Sequence, residues 1–277
     1  MIKQDQYIQL GSLRARYWMA GNEGAPVIFI HGIGGFVENW ELTMPALFGR
    51  RRVFAVDLPG HGQTDKPRDY PYHVSAFSRF IQDFAAALGL GQVSLVGHSM
   101  GGGIALRVAL EAPALVDRLV LVGAGGLGPG LARALRILTL PGLGERLTRP
   151  LRSGVRSALA VTVYDPAGIT DKWIDLDYRY ASLPGTQRAF LRTLRAGCTF
   201  FGQKASVYGP HLRGLRGWAR PVQVIWGQQD NIVPAAHAEV AARLFADARV
   251  HLFDRCGHIP MLEHPEKFNQ LLADFLQ

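Results

Sequence analysis

The stretch "VSLVGHSMGGGIAL", residues 93–106, passes from β-branched and apolar residues through a glycine cluster into helix formers, and its reading decides the fold. The first half has the composition of a strand and the second that of a helix. At the junction, "GHSMG" from Gly97 to Gly101 fits G-x-S-x-G. A sharp strand-turn-helix elbow there would lift the Ser99 hydroxyl above a sheet, and the flanking glycines would let the helix and neighbouring strands approach closely. A tight turn that merely contains serine is the alternative.

Similar apolar runs lie to either side: "VIFIHG" at 27–32, "RVFAVDLPG" at 52–60, "RLVLVGAGG" at 118–126, "VQVIWGQQD" at 222–230 and "ARVHLFDRCGH" at 248–258. Their continuous apolarity predicts strands covered on both faces, as in a parallel sheet. Helical patterns separate them. Phe77, Phe80, Ile81, Phe84 and Leu88 share one face after a candidate N-cap at Ser75, and Ile104 to Leu110, Val240 to Phe245 and Phe268 to Leu276 read likewise. "QYIQL" and "LRARYWMA" predict an antiparallel hairpin at the sheet edge. The class is α/β, a βα-wound sheet.

Residues 127–216 break this rhythm: they hold leucine- and arginine-rich helical patterns punctuated by "LPGLG", "DPAG" and "LPG", with no clear strand. An insertion of this length is read as a helical cap on a core formed by residues 1–126 and 217–277. The cap holds 14 Lys and Arg against 5 Asp and Glu, so it carries the basic character of a chain whose net charge is +8. Nucleic acid is not expected as a partner, because no binding motif accompanies the arginines. Contact with anionic lipid is a subordinate expectation.

No run of about 18 apolar residues is present to span a membrane, and the polar opening "MIKQDQYIQL" lacks a leader's apolar core, so a cytoplasmic protein is expected. The two cysteines, Cys198 and Cys256, are far apart and read as reduced thiols outside any metal-ligand spacing.

A serine needs a base to take its proton, and the base needs an orienting acid. In an elbow fold these follow in the order serine, acid, histidine. Asp230 ends "VQVIWGQQD" and His258 follows the last strand, so both belong at the sheet edge where Ser99 emerges. Asp254 and Asp247 are weaker candidates, because neither terminates a strand as Asp230 does. His264 precedes Pro265 at a helix start and His98 should point away from the serine side chain. The oxyanion needs two donors: the amide of Met100, after the nucleophile, and that of Ile33 in "HGIGG".

These residues resemble the α/β-hydrolase superfamily in its cap-bearing branch. "HGIGG", "DLPGHGQTDKP", "GHSMGG", "WGQQDNIVP" and "CGHIPMLEHPEKFNQLLADFL" occur in the family's order and spacing, and only the cap is unmatched. The resemblance implies the α/β-hydrolase fold, Ser99 as nucleophile, His258 as base then acid, Asp230 as its orienter, the Ile33 and Met100 amides as oxyanion hole, and no metal or cofactor. Asp57 and His61 are read as ordering the loop after their strand.

Serine rather than aspartate at the elbow disfavours epoxide hydrolase and haloalkane dehalogenase chemistry. The leading expectation is a carboxylesterase acting on a small-molecule ester, lipase-like at its widest. A carbon-carbon bond hydrolase of ring-fission dienoates is the alternative: it shares "SMGG", but usually has asparagine and tryptophan where His98 and Ile259 stand. Arg188 is the candidate for holding such a substrate's carboxylate. Perhydrolase side activity and a receptor or lyase role are further possibilities on the same fold. A histidine base predicts an activity optimum on the neutral-to-alkaline side.

Overall fold

The computed structural model describes residues 5–277; of the polar opening stretch, residues 1–4 lie outside it. The chain begins with β1 (Gln6–Leu10), β2 (Leu13–Ala20), β3 (Pro26–Ile30), β4 (Arg52–Val56), α1 (Val74–Ala87), β5 (Val93–His98), α2 (Met100–Glu111) and β6 (Val116–Val122). The elements of residues 127–216 follow: α3 (Arg133–Leu138), α4 (Leu143–Leu147), α5 (Arg152–Thr162), α6 (Asp171–Ala181), α7 (Thr186–Gly197), β7 (Cys198–Thr199), β8 (Gly202–Gln203) and α8 (Ala205–Gly214). β9 (Val222–Gly227), α9 (Ala236–Leu244), β10 (Ala248–Phe253), α10 (Pro260–Glu263) and α11 (Pro265–Phe275) complete it.

Eight strands form one sheet in the order β1-β2-β4-β3-β5-β6-β9-β10. β2 is antiparallel to both β1 and β4, while the pairings from β4 to β10 are parallel. From β3 the chain goes first to one side, to β4, and then to the other, to β5. That reversal opens a crevice at the strands' carboxyl ends, where ligands bind in sheets of this kind.

The continuous apolarity has a direct cause, because successive side chains point to opposite covered faces. Ile28 and Ile30 join Leu95, Leu121 and Val224 in a core cluster with Phe77, Phe84 and Ile104. Val27 and Phe29 face the other way, among Val96, Val122, Ile225, Phe268 and Leu272. Burying each such side chain contributes about 1.5–3 kcal/mol. The last strand departs from the two-sided expectation: β10 is an edge strand, and Val250 and Leu252 are exposed. The first helix starts earlier than the Ser75 cap implies. His73 is its N-cap, and the imidazole Nδ1 accepts from the Ala76 amide at 3.1 Å.

Residues 127–216 are mostly helical, with one addition, the two-stranded β7-β8 hairpin. That hairpin ties the returning chain to the departing one: Gln203 accepts from the Gly126 amide at 2.7 Å and donates to Gly130 O at 2.8 Å. Gly202 at φ +118° makes the approach possible, since a Cβ there would lie 2.2 Å from Pro129 O. Among the described residues no helix is long and apolar enough to cross a membrane, and Cys198 and Cys256 are free thiols.

Candidate functional site

Ser99 joins β5 to α2 at φ +55° and ψ −118°, a left-handed conformation unusual for a residue with a side chain. The turn is held from several sides. The Ser99 amide donates to Val122 O at 2.8 Å, and its carbonyl accepts from Gly125 N at 2.8 Å and Gly102 N at 3.0 Å. A Cβ on Gly97 would sit 2.3 Å from Gly101 O, and one on Gly101 would sit 2.1 Å from Ile30 O. Only glycine permits β3, β5 and α2 to converge so tightly behind the serine.

His258 Nδ1 and Asp230 Oδ2 are 2.7 Å apart, both residues buried. Asp230 is fixed independently, because its Oδ1 accepts from the amides of Ile232 and Val233 at 2.8 and 2.9 Å. With Nδ1–H spent on the carboxylate, Nε2 is left as the imidazole's acceptor. The pair stands close to the elbow: the ring of His98, the residue before Ser99, lies 4.7 Å from the His258 ring. His98 donates through Nε2 to His258 O at 2.9 Å, so it braces the backbone of that loop. Burial holds its imidazole well below the usual histidine range. The other candidates lie elsewhere. Asp254 is exposed and accepts from Gln229, Asp247 is exposed, and His264 donates to Arg255 O.

The loop after β3 lies against the serine, with a Cβ on Gly32 only 3.0 Å from Ser99 Cβ. Among the described residues the amides of Ile33 and Met100 donate to no protein acceptor, the condition an oxyanion hole requires. Two buried side chains shape this loop. His31 Nε2 accepts from Leu58 N at 3.0 Å, and Asp57 accepts from Val37 N and Gln63 N, each at 2.8 Å. Desolvation lowers His31 to about 3, so it stays neutral, and burial pushes Asp57 up to about 6 against the pull of Arg16. His61 joins the same cluster, its ring 5.3 Å from that of His31.

Three features of the surrounding structure were not legible in the sequence motifs. Arg16 is buried and reaches Asp57 at 3.2 Å, Glu38 at 2.7 Å and the Tyr180 hydroxyl of α6 at 2.9 Å. Glu263 accepts from the amides of Gly257 at 2.9 Å and Tyr164 at 2.7 Å, binding the His258 loop to the chain that leaves α5. Asp177, on α6, is a half-buried carboxyl raised to about 7 by desolvation alone. Arg188 donates through Nη2 to Lys66 O at 3.1 Å, so part of its guanidinium is engaged by the loop after β4. Among the described residues no group of three or more His, Cys, Asp or Glu is gathered to hold a metal ion.

Comparison with known proteins agrees with this architecture. The family model for the alpha/beta hydrolase fold matches residues 25–265. The 2-hydroxy-6-oxo-6-(2'-aminophenyl)hexa-2,4-dienoic acid hydrolase of Metapseudomonas resinovorans is 33% identical over 98% of this chain and 90% of its own. A meta-cleavage product hydrolase from Pseudomonas fluorescens IP01 superposes with a TM-score of 0.83 at 29% identity, covering 98% of this chain and 96% of that one. A bacterial membrane phospholipase A superposes at 0.78 with 26% identity, covering 99% and 85%. The relatives of highest identity among these are carbon-carbon hydrolases, which back the alternative drawn from the sequence better than its leading ester reading. The chain belongs to the α/β-hydrolase fold family and is a hydrolase of the branch that resembles the carbon-carbon bond hydrolases.

Proposed function

We propose that the protein is a serine hydrolase that opens an ester beside its carbonyl carbon through an acyl-enzyme on Ser99. The observation that carries this is the 2.7 Å His258–Asp230 pair beside a strained serine elbow with two unspent amides. Nε2 of His258 takes the Ser99 proton as the oxygen attacks, Asp230 stabilises the imidazolium, and the Ile33 and Met100 amides receive the oxyanion. Collapse of the tetrahedral intermediate breaks the bond to the alcohol, which leaves with the proton from His258. Water then gives its proton to His258 and its oxygen to the acyl carbon, releasing acid and free Ser99.

Cleavage of a carbon-carbon bond beside a ketone, in a ring-fission dienoate, is the second reading, and the dienoate hydrolases among the relatives favour it. Arg188 offers a carboxylate a buried Nε–H that has no protein partner among the described residues, beside the Nη2 that donates to Lys66 O. The phospholipase resemblance supports ester cleavage instead. A substrate panel separates the readings: p-nitrophenyl acetate, butyrate and octanoate beside a ring-fission dienoate, with wild type and Ser99→Ala. Ester turnover lost in Ser99→Ala supports the first reading; turnover of the dienoate alone replaces it with the second.

A further inference from the structure

Large apolar side chains are left uncovered along one short stretch of the chain. Among the described residues, five of the fifteen that are exposed fall between residues 137 and 151: Ile137, Leu140, Leu143, Leu147 and Leu151. Such side chains scattered singly are ordinary, but a run of them calls for a partner. Most of the run belongs to one surface, because α3 and α4 dock together on the C-terminal half of α7. Arg195 of α7 donates through Nε to Thr139 O at 3.1 Å and through Nη2 to Leu140 O at 3.2 Å, and it pairs with Glu145 of α4 at 2.6 Å. Gly144 is the buried side of α4, where a Cβ would sit 3.1 Å from the Leu191 side chain. Leu143 and Leu147, one turn apart, share a face that nothing covers, and Arg133 and Ile137 do the same on α3.

The free charges on this surface have one sign. The guanidinium groups of Arg133, Arg136, Arg146 and Arg149 make no hydrogen bond, ion pair or ring contact among the described residues. Glu145 is the one acidic residue between 131 and 151, and Arg195 already answers it. Just beyond the surface the arginines are paired, Arg152 with Asp171 and Asp175, and Arg156 with Asp171. Near the start of α3, Gln203 N donates to Pro129 O at 3.0 Å, which sets the β7-β8 hairpin beside the chain entering that helix. The turn of the hairpin carries Phe201, which is 86% exposed. Leucines and unpaired arginines together select the partner. A second copy of the chain would bring the same arginines against each other, and a nucleic acid would give the leucines nothing apolar to enter. An anionic lipid layer answers both, with acyl chains for the leucines and phosphates for the arginines.

We propose that the outward surface of α3 and α4 docks on an anionic lipid layer, with Leu140, Leu143 and Leu147 entering it and Arg133, Arg146 and Arg149 meeting lipid phosphates. The docking is peripheral, since α3 and α4 have 6 and 5 residues and no described helix is long and apolar enough to cross a membrane. Each arginine beside an anionic surface strengthens binding by about fivefold. Burial of the leucines adds an attraction that salt does not screen. The proposal is independent of the bond that Ser99 cleaves, because its readout is binding.

The test is flotation of the full chain at low salt with vesicles of phosphatidylcholine alone, and with vesicles holding about one third phosphatidylglycerol. Wild type should bind the anionic vesicles at least about tenfold more tightly than the neutral ones. Arg133→Gln, Arg146→Gln and Arg149→Gln combined should weaken that binding by about a hundredfold. Arg50→Gln, Arg213→Gln and Arg216→Gln combined remove the same charge elsewhere, two of them beside Gly214, which packs on Leu110 at the end of α2 remote from Ser99, and should change it by no more than about threefold. Leu143→Ser with Leu147→Ser leaves the charge unchanged and should weaken binding at least about tenfold, with circular dichroism confirming the fold. Leu147→Ser alone, at a side chain that is 55% exposed, replaces the pair if the pair unfolds, with a smaller loss in the same direction. No binding to anionic vesicles would overturn the proposal. So would leucine variants that bind as wild type does, or a loss in the control variant as large as that in the surface variant, since either reduces the contact to adsorption of a basic protein. A dimer in sedimentation that the leucine substitutions dissociate, without vesicle binding, would also overturn it and give the surface to a second copy.

Discussion

Ser99 is buried and its backbone is strained: a left-handed non-glycine residue costs about 1–3 kcal/mol, and the hydrogen bonds to Val122, Gly125 and Gly102 hold it there. Behind it, Gly97 and Gly101 leave no room for a methyl group. Gly101→Ala should therefore cost about 1–3 kcal/mol or more by overpacking, read as a lowered midpoint in urea unfolding. An undisturbed midpoint would mean that the elbow is looser than its 2.1 Å clearance implies. Asp230→Asn keeps the shape of the side chain but removes the charge that sets the His258 tautomer. It should lower kcat by about 10⁴-fold while leaving the fold intact, checked by steady-state kinetics beside circular dichroism. Ser99, Asp230 and His258 were legible in the sequence because each follows the end of a strand, and the strands share one edge. Arg16 was not, since its carboxylate partners Glu38 and Asp57 are distant from it in sequence.

At the scale of elements, the site depends on how its loops are tied to the helices of residues 127–216. Glu263, in the short helix α10, receives the amides of Gly257 and Tyr164, so one carboxylate holds both the His258 loop and the chain leaving α5. Hydrogen bonds to a charged group contribute about 1.5–3 kcal/mol each. Glu263→Ala should lower stability by about 2 kcal/mol and reduce kcat more than it raises KM, since its effect reaches the chemistry through the position of His258. A normal kcat in a folded Glu263→Ala protein would separate that contact from catalysis. The strands were legible from their apolar runs, and the helices from periodicity. The β7-β8 hairpin was not, because each of its strands has 2 residues and is held through Gln203 to chain that is more than 70 residues away in sequence. No window of local sequence contains that partner.

For the whole molecule, buried imidazoles set the response to acid. Desolvation lowers His31 to about 3, His61 and His211 each to about 4, and His98 well below its ordinary value. In the unfolded chain a histidine titrates near about 6.5, so below that pH the unfolded state binds more protons and stability falls as pH drops. Asp57 and Asp177, raised to about 6 and about 7, act the other way, since their folded forms bind the proton more tightly. Four histidines outweigh two carboxyls. The calorimetric Tm should fall steadily from pH 7 to pH 4.5, and a rising Tm over that interval would contradict the neutral, buried state of these rings. Residues 127–216, with 14 Lys and Arg against 5 Asp and Glu, keep most of their charge at the surface. The most direct measurement of the central claim is labelling by a fluorophosphonate, read by mass spectrometry of the intact protein and its peptides. The account predicts one adduct per chain on Ser99, absent from Ser99→Ala and slowed in Asp230→Asn. A folded wild type that takes no label, or takes it on another residue, would contradict it.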